Sequence, residues 1–153
     1  MTQIEQAETR VGWQPYRLDH YAQELVIQNR DKKNVLNESH KMRMAVAYGL
    51  ERFWGEHLRY ERDNSLESKD KGAYWKAVWI TLAEILKDSG IDGLPDSDGS
   101  IQFGNTKKIE ETATAIWQFS NVPEQRRVAL MVLTQLCDAL VWWTQRYKTK
   151  GEE

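Results

Sequence analysis

The chain has 153 residues, and its 21 basic and 23 acidic residues give it a formal net charge of −2. That length suits one domain with its own hydrophobic core, and the near balance of charge excludes strong attraction of the whole molecule to nucleic acid or to an anionic membrane. The single cysteine, Cys137, excludes an internal disulfide framework.

The cysteine count and the first ten residues together predict the compartment. A chain with one cysteine suits the reducing interior of the cell better than the outside, where small proteins are held together by disulfides. Glu5 and Glu8 stand where a signal peptide would carry its apolar stretch. We therefore expect a cytoplasmic protein with no membrane partner.

The first apolar segment has the spacing of an amphipathic helix. Its positions i, i+3, i+4, i+7 and i+8 are Leu18, Tyr21, Ala22, Leu25 and Val26. With Pro15 in the first turn, this spacing predicts a helix over residues 15–30. Residues 1–14 are left as an N-terminal extension.

The second apolar segment predicts a longer helix over residues 37–60, with Asn37 or Ser39 as its N-cap. Gly49 falls inside this helix, where it is expected to cost about 1 kcal/mol relative to alanine. Residues 61–72 contain almost no apolar side chains, which predicts a solvated loop after the helix.

A third helix is predicted over residues 71–88, because tryptophan and aliphatic residues recur on one face of that segment. Gly90 stands where a residue in the left-handed conformation would end the helix. The glycines and aspartates that follow break both helix and strand, so residues 89–105 are predicted to form a long acidic loop.

Two more helices are predicted in the last third of the chain. One covers residues 106–120, capped by Asn105 or Thr106. The other covers residues 123–149 and starts with Pro123 at its first helical position.

The last predicted helix is apolar nearly all round, because only three residues between Val128 and Trp143 are polar, namely Thr134, Gln135 and Asp138. We therefore expect the other helices to surround it. The apolar run has sixteen residues, and a membrane span needs about twenty, so a span is not predicted. The predicted fold is all-α: a single domain of about five helices arranged as a bundle, with the C-terminal helix at its centre.

The chain has seven tryptophans but only three phenylalanines. Indole rings therefore supply much of its apolar side-chain surface. The tryptophans are at positions 13, 54, 75, 79, 117, 142 and 143. Most are expected to lie in the core. Indole rings are also common in interfaces, so one or two are candidates for anchors to a partner.

Two histidine–glutamate pairs, His20 with Glu24 and His57 with Glu61, have the i, i+4 spacing that places both side chains on one helical face. Di-metal helical bundles instead use Glu-x-x-His together with further carboxylates, and no glutamate precedes a histidine by three residues here. We therefore predict no metal site and no cofactor.

The acidic stretch Asp96-Ser97-Asp98-Gly99-Ser100-Ile101 is similar to the middle of a calcium loop. Leu94 stands where the first ligand belongs, and Asn105 stands where a bidentate glutamate is needed. The stretch is therefore interpreted as a turn.

Cys137 lies among aliphatic residues with no histidine within one helical turn, so its thiol is expected to be inert. The common hydrolase, nucleotide-binding and metalloprotease motifs are not present in the sequence. The chain is therefore interpreted as non-enzymatic, with no catalytic residue assigned.

Basic residues interleaved with aromatic rings form the main functional pattern. Cationic groups neutralise phosphates while aromatic rings stack on unpaired bases. The predicted nucleic-acid contacts are Arg59, Arg62, Lys107, Lys108, Arg126, Arg127, Arg146 and Lys148. Cations at a helix C-terminus also stabilise the helix dipole, which explains some of these positions without nucleic acid. Lys107–Lys108 and Arg126–Arg127 oppose the dipole, so they are the first positions to test.

The segment Leu136-Cys137-Asp138-Ala139-Leu140-Val141-Trp142-Trp143-Thr144-Gln145-Arg146-Tyr147-Lys148 resembles the end of the small, all-helical subunits of type III CRISPR effector complexes. The chain length and the segment Ala47-Tyr48-Gly49-Leu50 are similar in outline. The resemblance implies a non-catalytic subunit in antiviral defence whose partners are other protein subunits and RNA. It further implies contacts along the backbone of the guide–target duplex without base recognition.

Two alternatives of other classes remain open. One is a small helical enzyme or ligand-binding protein with a His57–Glu61 acid–base pair. The other is a protein-only adaptor or inhibitor whose acidic loop, residues 89–105, contacts a basic partner.

Overall fold

The computed structural model describes residues 15–95 and 105–148, and within these ranges the chain forms helices and no strand. The helices are α1 (Pro15–Asn29), α2 (Glu38–Ala45), α3 (Leu50–Glu61), α4 (Leu66–Asp88), α5 (Thr106–Ser120) and α6 (Pro123–Tyr147). Two short 3₁₀ turns, Val35–Asn37 and Val46–Tyr48, flank α2. The predicted all-α class is confirmed.

α1 and α6 lie side by side and run in the same direction. Trp143 Nε1 donates to Asp19 Oδ1 at 3.3 Å, and one turn further along both helices Gln23 Nε2 donates to the Tyr147 hydroxyl at 3.0 Å. The C-terminal ends of the first and last described helices therefore lie at the same end of the bundle.

α2 runs antiparallel to α6. The Ser39 hydroxyl lies 2.7 Å from the Thr144 hydroxyl, and Arg43 Nε lies 2.6 Å from Asp138 Oδ1. Between these two contacts the residue number increases along α2 and decreases along α6. The first turn of α2 is therefore fixed against the last turns of α6.

α3 and α4 form an antiparallel pair joined by a short turn, and their closest approach is at Gly72. A Cβ atom added at Gly72 would lie 3.2 Å from the His57 carbonyl oxygen and 3.2 Å from Tyr60 Cβ. The missing side chain lets α4 pack directly on the backbone of α3. Further along the pair, the rings of Phe53 and Trp75 lie 5.0 Å apart.

The predicted loop over residues 61–72 is wrong, because α4 begins at Leu66. Ser65 is its N-cap, with a side-chain oxygen that accepts a hydrogen bond from the Ser68 backbone N–H at 3.1 Å. The first turns of α4 are mostly polar and solvent-facing, so they lack the apolar spacing used to predict helices. The cap, rather than burial, marks where this helix starts.

The prediction of one continuous helix over residues 37–60 is also wrong, because the helix is interrupted at Gly49. Gly49 has φ 95° and ψ 170°, a conformation open essentially to glycine alone. α2 ends before it and α3 starts directly after it. The glycine separates two helices instead of weakening one.

The predicted helix ends at Gly90, Asn105 and Pro123 are confirmed, whereas α6 ends at Tyr147, before the predicted end at residue 149. α4 ends at Asp88, and Gly90 has φ 86° while its N–H donates to the Lys87 carbonyl at 3.0 Å. The Ile91 N–H donates to the Leu86 carbonyl at 2.8 Å, which completes a Schellman motif. Asn105 caps α5 by accepting a hydrogen bond from the Lys108 N–H. α6 starts with Pro123.

α6 packs against α1, α2, α4 and α5, in keeping with its predicted central place. Its enclosure is incomplete, however, because Met131 is 42% exposed and Trp142 is 48% exposed. Complete enclosure was predicted from apolar composition alone, and the neighbouring helices cover only part of its circumference. By length and composition, α6 is the one helix within the described ranges that meets the criteria for a membrane span. The core helix of a soluble protein meets the same criteria.

Candidate functional site

Two neighbouring residues at the start of α2 hold the ends of α3 and α6 together. Glu38 Oε1 accepts hydrogen bonds from the Tyr60 hydroxyl at the end of α3 and from Trp75 Nε1 on α4, the latter at 3.0 Å. The Ser39 hydroxyl lies 2.7 Å from that of Thr144, in the last turn of α6. The C-terminal ends of α3 and α6 are therefore both anchored to the first turn of α2.

This arrangement places half of the eight predicted phosphate contacts at one end of the bundle. A further cation, which the sequence analysis missed, joins them because the guanidinium of Arg30 lies 5.8 Å from the centre of the Tyr147 ring. No pattern in the sequence links Arg30 to α6, because only the parallel packing of α1 on α6 brings them together. We call this group the basic end; it consists of Arg30, Arg59, Arg62, Arg146 and Lys148.

Aromatic rings border the basic end. The guanidinium of Arg146 lies over the Trp142 ring, 3.6 Å from its centre, in a cation–π contact. The Trp143 ring meets Trp142 edge-on at 4.7 Å and stacks on the Tyr147 ring at 5.9 Å. Three rings and two guanidinium groups therefore form one continuous layer, with Trp142 half exposed.

Charge at the basic end is only partly neutralised within the chain. Arg59 Nε lies 2.9 Å from Glu56 Oε2, and its guanidinium covers the Tyr60 ring at 4.4 Å. In the described ranges, the other four members of the basic end form no ion pair within 4.0 Å. These four cations are therefore available to bind an anion of another molecule.

Among the described residues, no side-chain contact joins the other four predicted phosphate contacts to the basic end. Arg126 and Arg127 stand in the first turns of α6, about 30 Å from Arg146 along the helix axis. The pair Lys107–Lys108 occupies the first turn of α5, at the opposite end of that helix from Ser120, whose carbonyl accepts a hydrogen bond from Arg126 at 3.3 Å. The structure therefore does not bring all eight predicted contacts to one surface.

A surface groove of about 420 Å³ lies between α1 and α6, next to the aromatic layer. Its lining combines two carboxylates with two indole rings and small apolar groups, from Leu18, Asp19, Gln135, Asp138, Ala139, Trp142 and Trp143. Asp19 Oδ1 accepts from Trp143 Nε1, and Asp138 pairs with Arg43. The groove therefore differs in charge from the basic end beside it.

A second groove, of about 430 Å³, lies at the C-terminal end of α4 between Ile80 and Lys87 on one side and residues 91–95 on the other. Trp79 on α4 donates its Nε1–H to the carbonyl of Pro95, one of the lining residues, at 2.7 Å. The calcium-like stretch predicted to be a turn begins at Asp96 and lies outside the described residues, as does most of the predicted acidic loop.

The His57–Glu61 pair is not arranged for acid–base catalysis. His57 is 1% exposed, its Nδ1 lies 2.5 Å from the Trp54 carbonyl oxygen, and its Nε2 is buried without a hydrogen-bond partner. Glu61 Oε1 instead pairs with Lys76 Nζ at 2.8 Å. Burial lowers the pKa of His57, an effect that Glu61 partly opposes. A substrate has no access to this imidazole.

Two other side chains that could act as a nucleophile or an acid, Cys137 and Tyr60, are also buried. Cys137 is fully buried, and burial raises the pKa of its thiol. Burial and the hydrogen bond to Glu38 raise the pKa of Tyr60. Within the described ranges, no three His, Cys, Asp or Glu side chains are grouped as metal ligands.

Comparisons with other proteins do not assign the chain to a family. No family model matches it, and neither a curated protein nor a solved structure matches it. The surfaces described above are therefore the basis on which a function is proposed.

Proposed function

We propose that this chain is a non-catalytic helical subunit of a larger assembly and that it contacts RNA through the basic end. The observation that carries the proposal is the presence of cations from α1, α3 and α6 at one end of the bundle, where Arg146 covers the half-exposed ring of Trp142. Unpaired RNA binds proteins through two interactions: cationic side chains neutralise its phosphates, and aromatic side chains stack on its bases.

The subunit character is supported by large apolar side chains on the surface. Met44 is 72% exposed and Tyr48 is 68% exposed, and both lie in or directly after α2. Single exposed apolar residues are ordinary on protein surfaces. Two of this size on one short stretch, together with Met131 on the adjacent α6, suit a surface that other subunits cover.

We further propose that the assembly is a type III CRISPR effector complex. This step rests on the resemblance of residues 136–148 to the end of the small subunits of such complexes. The basic end includes the last residues of that segment, Arg146 and Lys148. Contacts to the RNA backbone at this end would position a duplex without recognising its bases.

The test is binding of a fluorescently labelled single-stranded RNA, measured by anisotropy over a series of salt concentrations. The double variant Arg30→Glu/Arg146→Glu reverses two charges of the basic end. We expect it to weaken binding at least about tenfold at physiological salt. We also expect the slope of log affinity against log salt to fall by about 1.4, since each lost phosphate contact accounts for about 0.7.

Lys107→Glu/Arg126→Glu is the matched control, because it reverses the same number of charges at two residues that are not members of the basic end. We expect this control to bind RNA within about twofold of the unchanged protein. Equal weakening by both double variants would show that binding follows total charge, and loss in the control alone would move the interface to the first turns of α5 and α6. Either result contradicts the proposal, as does salt-independent binding by the unchanged protein.

A further inference from the structure

We propose that the groove between α1 and α6 binds an arginine side chain presented by a partner protein. The groove is the surface lined by Leu18, Asp19, Gln135, Asp138, Ala139, Trp142 and Trp143. The inference rests on the proposed function in one respect, namely that the partner is another subunit of the assembly. It does not depend on RNA binding.

The charge of the lining selects a cation. Asp19 comes from α1 and Asp138 from α6, so carboxylates stand on the two helices that form the groove. Both residues are solvent-exposed, and the described residues of the lining include no basic side chain. Arg43 already neutralises Asp138, so Asp19 is the carboxylate that would attract a guanidinium or ammonium group.

The rings favour arginine over lysine. The guanidinium group is planar, stacks on aromatic faces and donates several N–H groups in a fixed fork to a carboxylate. The groove offers the indoles of Trp142 and Trp143 and apolar contacts from Leu18 and Ala139, which suit the aliphatic stem of an arginine.

The rim of the groove already makes both interactions with arginines of this chain. Arg146 lies over the Trp142 ring at 3.6 Å, and Arg43 Nε lies 2.6 Å from Asp138 Oδ1. These contacts show that the ring and the carboxylate are placed to accept guanidinium groups. Asp19 forms no ion pair within the described ranges, so its carboxylate is the one available to an incoming arginine.

The experiment follows the indole N–H signals of the full-length, ¹⁵N-labelled protein by NMR. The probe is an acetylated, amidated tripeptide with arginine between two leucines. The matched probe carries citrulline in place of arginine and differs in charge but hardly in shape. We expect the arginine peptide to shift the Trp142 and Trp143 indole signals to saturation. The Trp117 indole, on the surface of α5, should not move.

The variant Asp19→Asn removes the available carboxylate and keeps the size of the side chain. We expect it to weaken binding of the arginine peptide about fivefold, as loss of an exposed charged contact beside an aromatic ring implies. Asp31→Asn is the matched control, because it makes the same chemical change at an exposed residue that does not line the groove. It should bind the arginine peptide like the unchanged protein.

Two results would overturn the groove proposal: equal shifts from the citrulline peptide, or binding of the arginine peptide that is unaffected by Asp19→Asn. The outcome is separable from that for the basic end. If the arginine peptide fails to bind while RNA binding still depends on Arg30 and Arg146, only the proposal that the groove binds arginine is wrong. If RNA binding fails while the arginine peptide binds, the groove assignment stands.

Discussion

At the scale of single residues, the buried polar atoms carry the most information. Trp54 Nε1 and His57 Nε2 are both buried without a hydrogen-bond partner, and their rings meet edge-on at 5.5 Å. A buried polar group without a partner costs about 1–3 kcal/mol. For His57 that cost is lowest when the imidazole is neutral, because the charged form would lose more hydration.

This burial predicts a pH dependence of stability. The folded pKa of His57 lies below its ordinary value of 6.5, so between those two pH values the unfolded chain binds a proton that the folded chain does not. The free energy of unfolding should therefore fall as the pH drops below about 6.5, and this contribution should level off below the folded pKa. The slope from this one group is at most about 1.4 kcal/mol per pH unit.

The measurement is urea unfolding, followed by circular dichroism between about pH 7.5 and about pH 5. His57→Gln should show a flatter dependence than the unchanged protein. His40→Gln is the control, since His40 is an exposed histidine on α2. If the two variants share one slope, His57 is not the group that titrates.

At the scale of elements, the ends of helices separate what local sequence determines from what it does not. Gly90 and Pro123 were placed correctly because a left-handed residue after a helix and a proline at its first position act through backbone geometry alone. Gly49 has the same local freedom. The sequence around it fits a continuous helix equally well, and only the packing of α2 and α3 selects the break.

Gly49 and Gly55 form a matched pair for testing this difference. An added Cβ meets nothing within 4 Å at either position, so steric clash is the same for both. Gly49→Ala should lower the free energy of unfolding by about 1–3 kcal/mol, because alanine is strained at φ 95°. Gly55→Ala, inside α3, should raise it by up to about 1 kcal/mol.

Chemical denaturation of the two variants and the unchanged protein, analysed with one common m-value, gives both changes in the free energy of unfolding. Opposite signs at the two glycines are the expected result. A gain in stability at Gly49 would mean that α2 and α3 form one helix, as the apolar spacing had predicted.

At the scale of the whole molecule, Glu38 connects three helices. Its carboxylate is 0% exposed and accepts hydrogen bonds from Tyr60 on α3 and Trp75 on α4. Its Oε2 forms an ion pair with Lys41 Nζ at 3.1 Å. The carboxylate is thus held by two neutral donors and one half-exposed cation.

Glu38→Ala should lower the free energy of unfolding by about 2–6 kcal/mol, because it leaves the buried Tyr60 and Trp75 donors without an acceptor, at about 1–3 kcal/mol each. Glu24→Ala, on the exposed face of α1, should change it by no more than about 0.5 kcal/mol. Urea titrations compare the two. A loss below about 1 kcal/mol at Glu38 would show that the apolar contacts alone hold these helices together.

The candidate site was predictable in part. Arg59, Arg62, Arg146 and Lys148 were identified from their aromatic neighbours in sequence, and they lie at one end of the bundle because α2 anchors the C-terminal ends of α3 and α6. Lys107, Lys108, Arg126 and Arg127 were singled out because they oppose the helix dipole, and among the described residues no side-chain contact joins them to that end. Arg30 and Asp19 had no local pattern to mark them, since their importance comes from the packing of α1 on α6.

The sequence by itself determined the all-helical class, the place of α1, α5 and α6, and the helix ends set by Gly90, Asn105 and Pro123. These features depend on apolar spacing and backbone preference, which act over a few residues. Tertiary structure alone decided the break at Gly49, the exposure of Trp142, the basic end and the groove beside it. Each of those depends on which helix faces which, and spacing within one helix fixes its apolar face but not the neighbour that covers it.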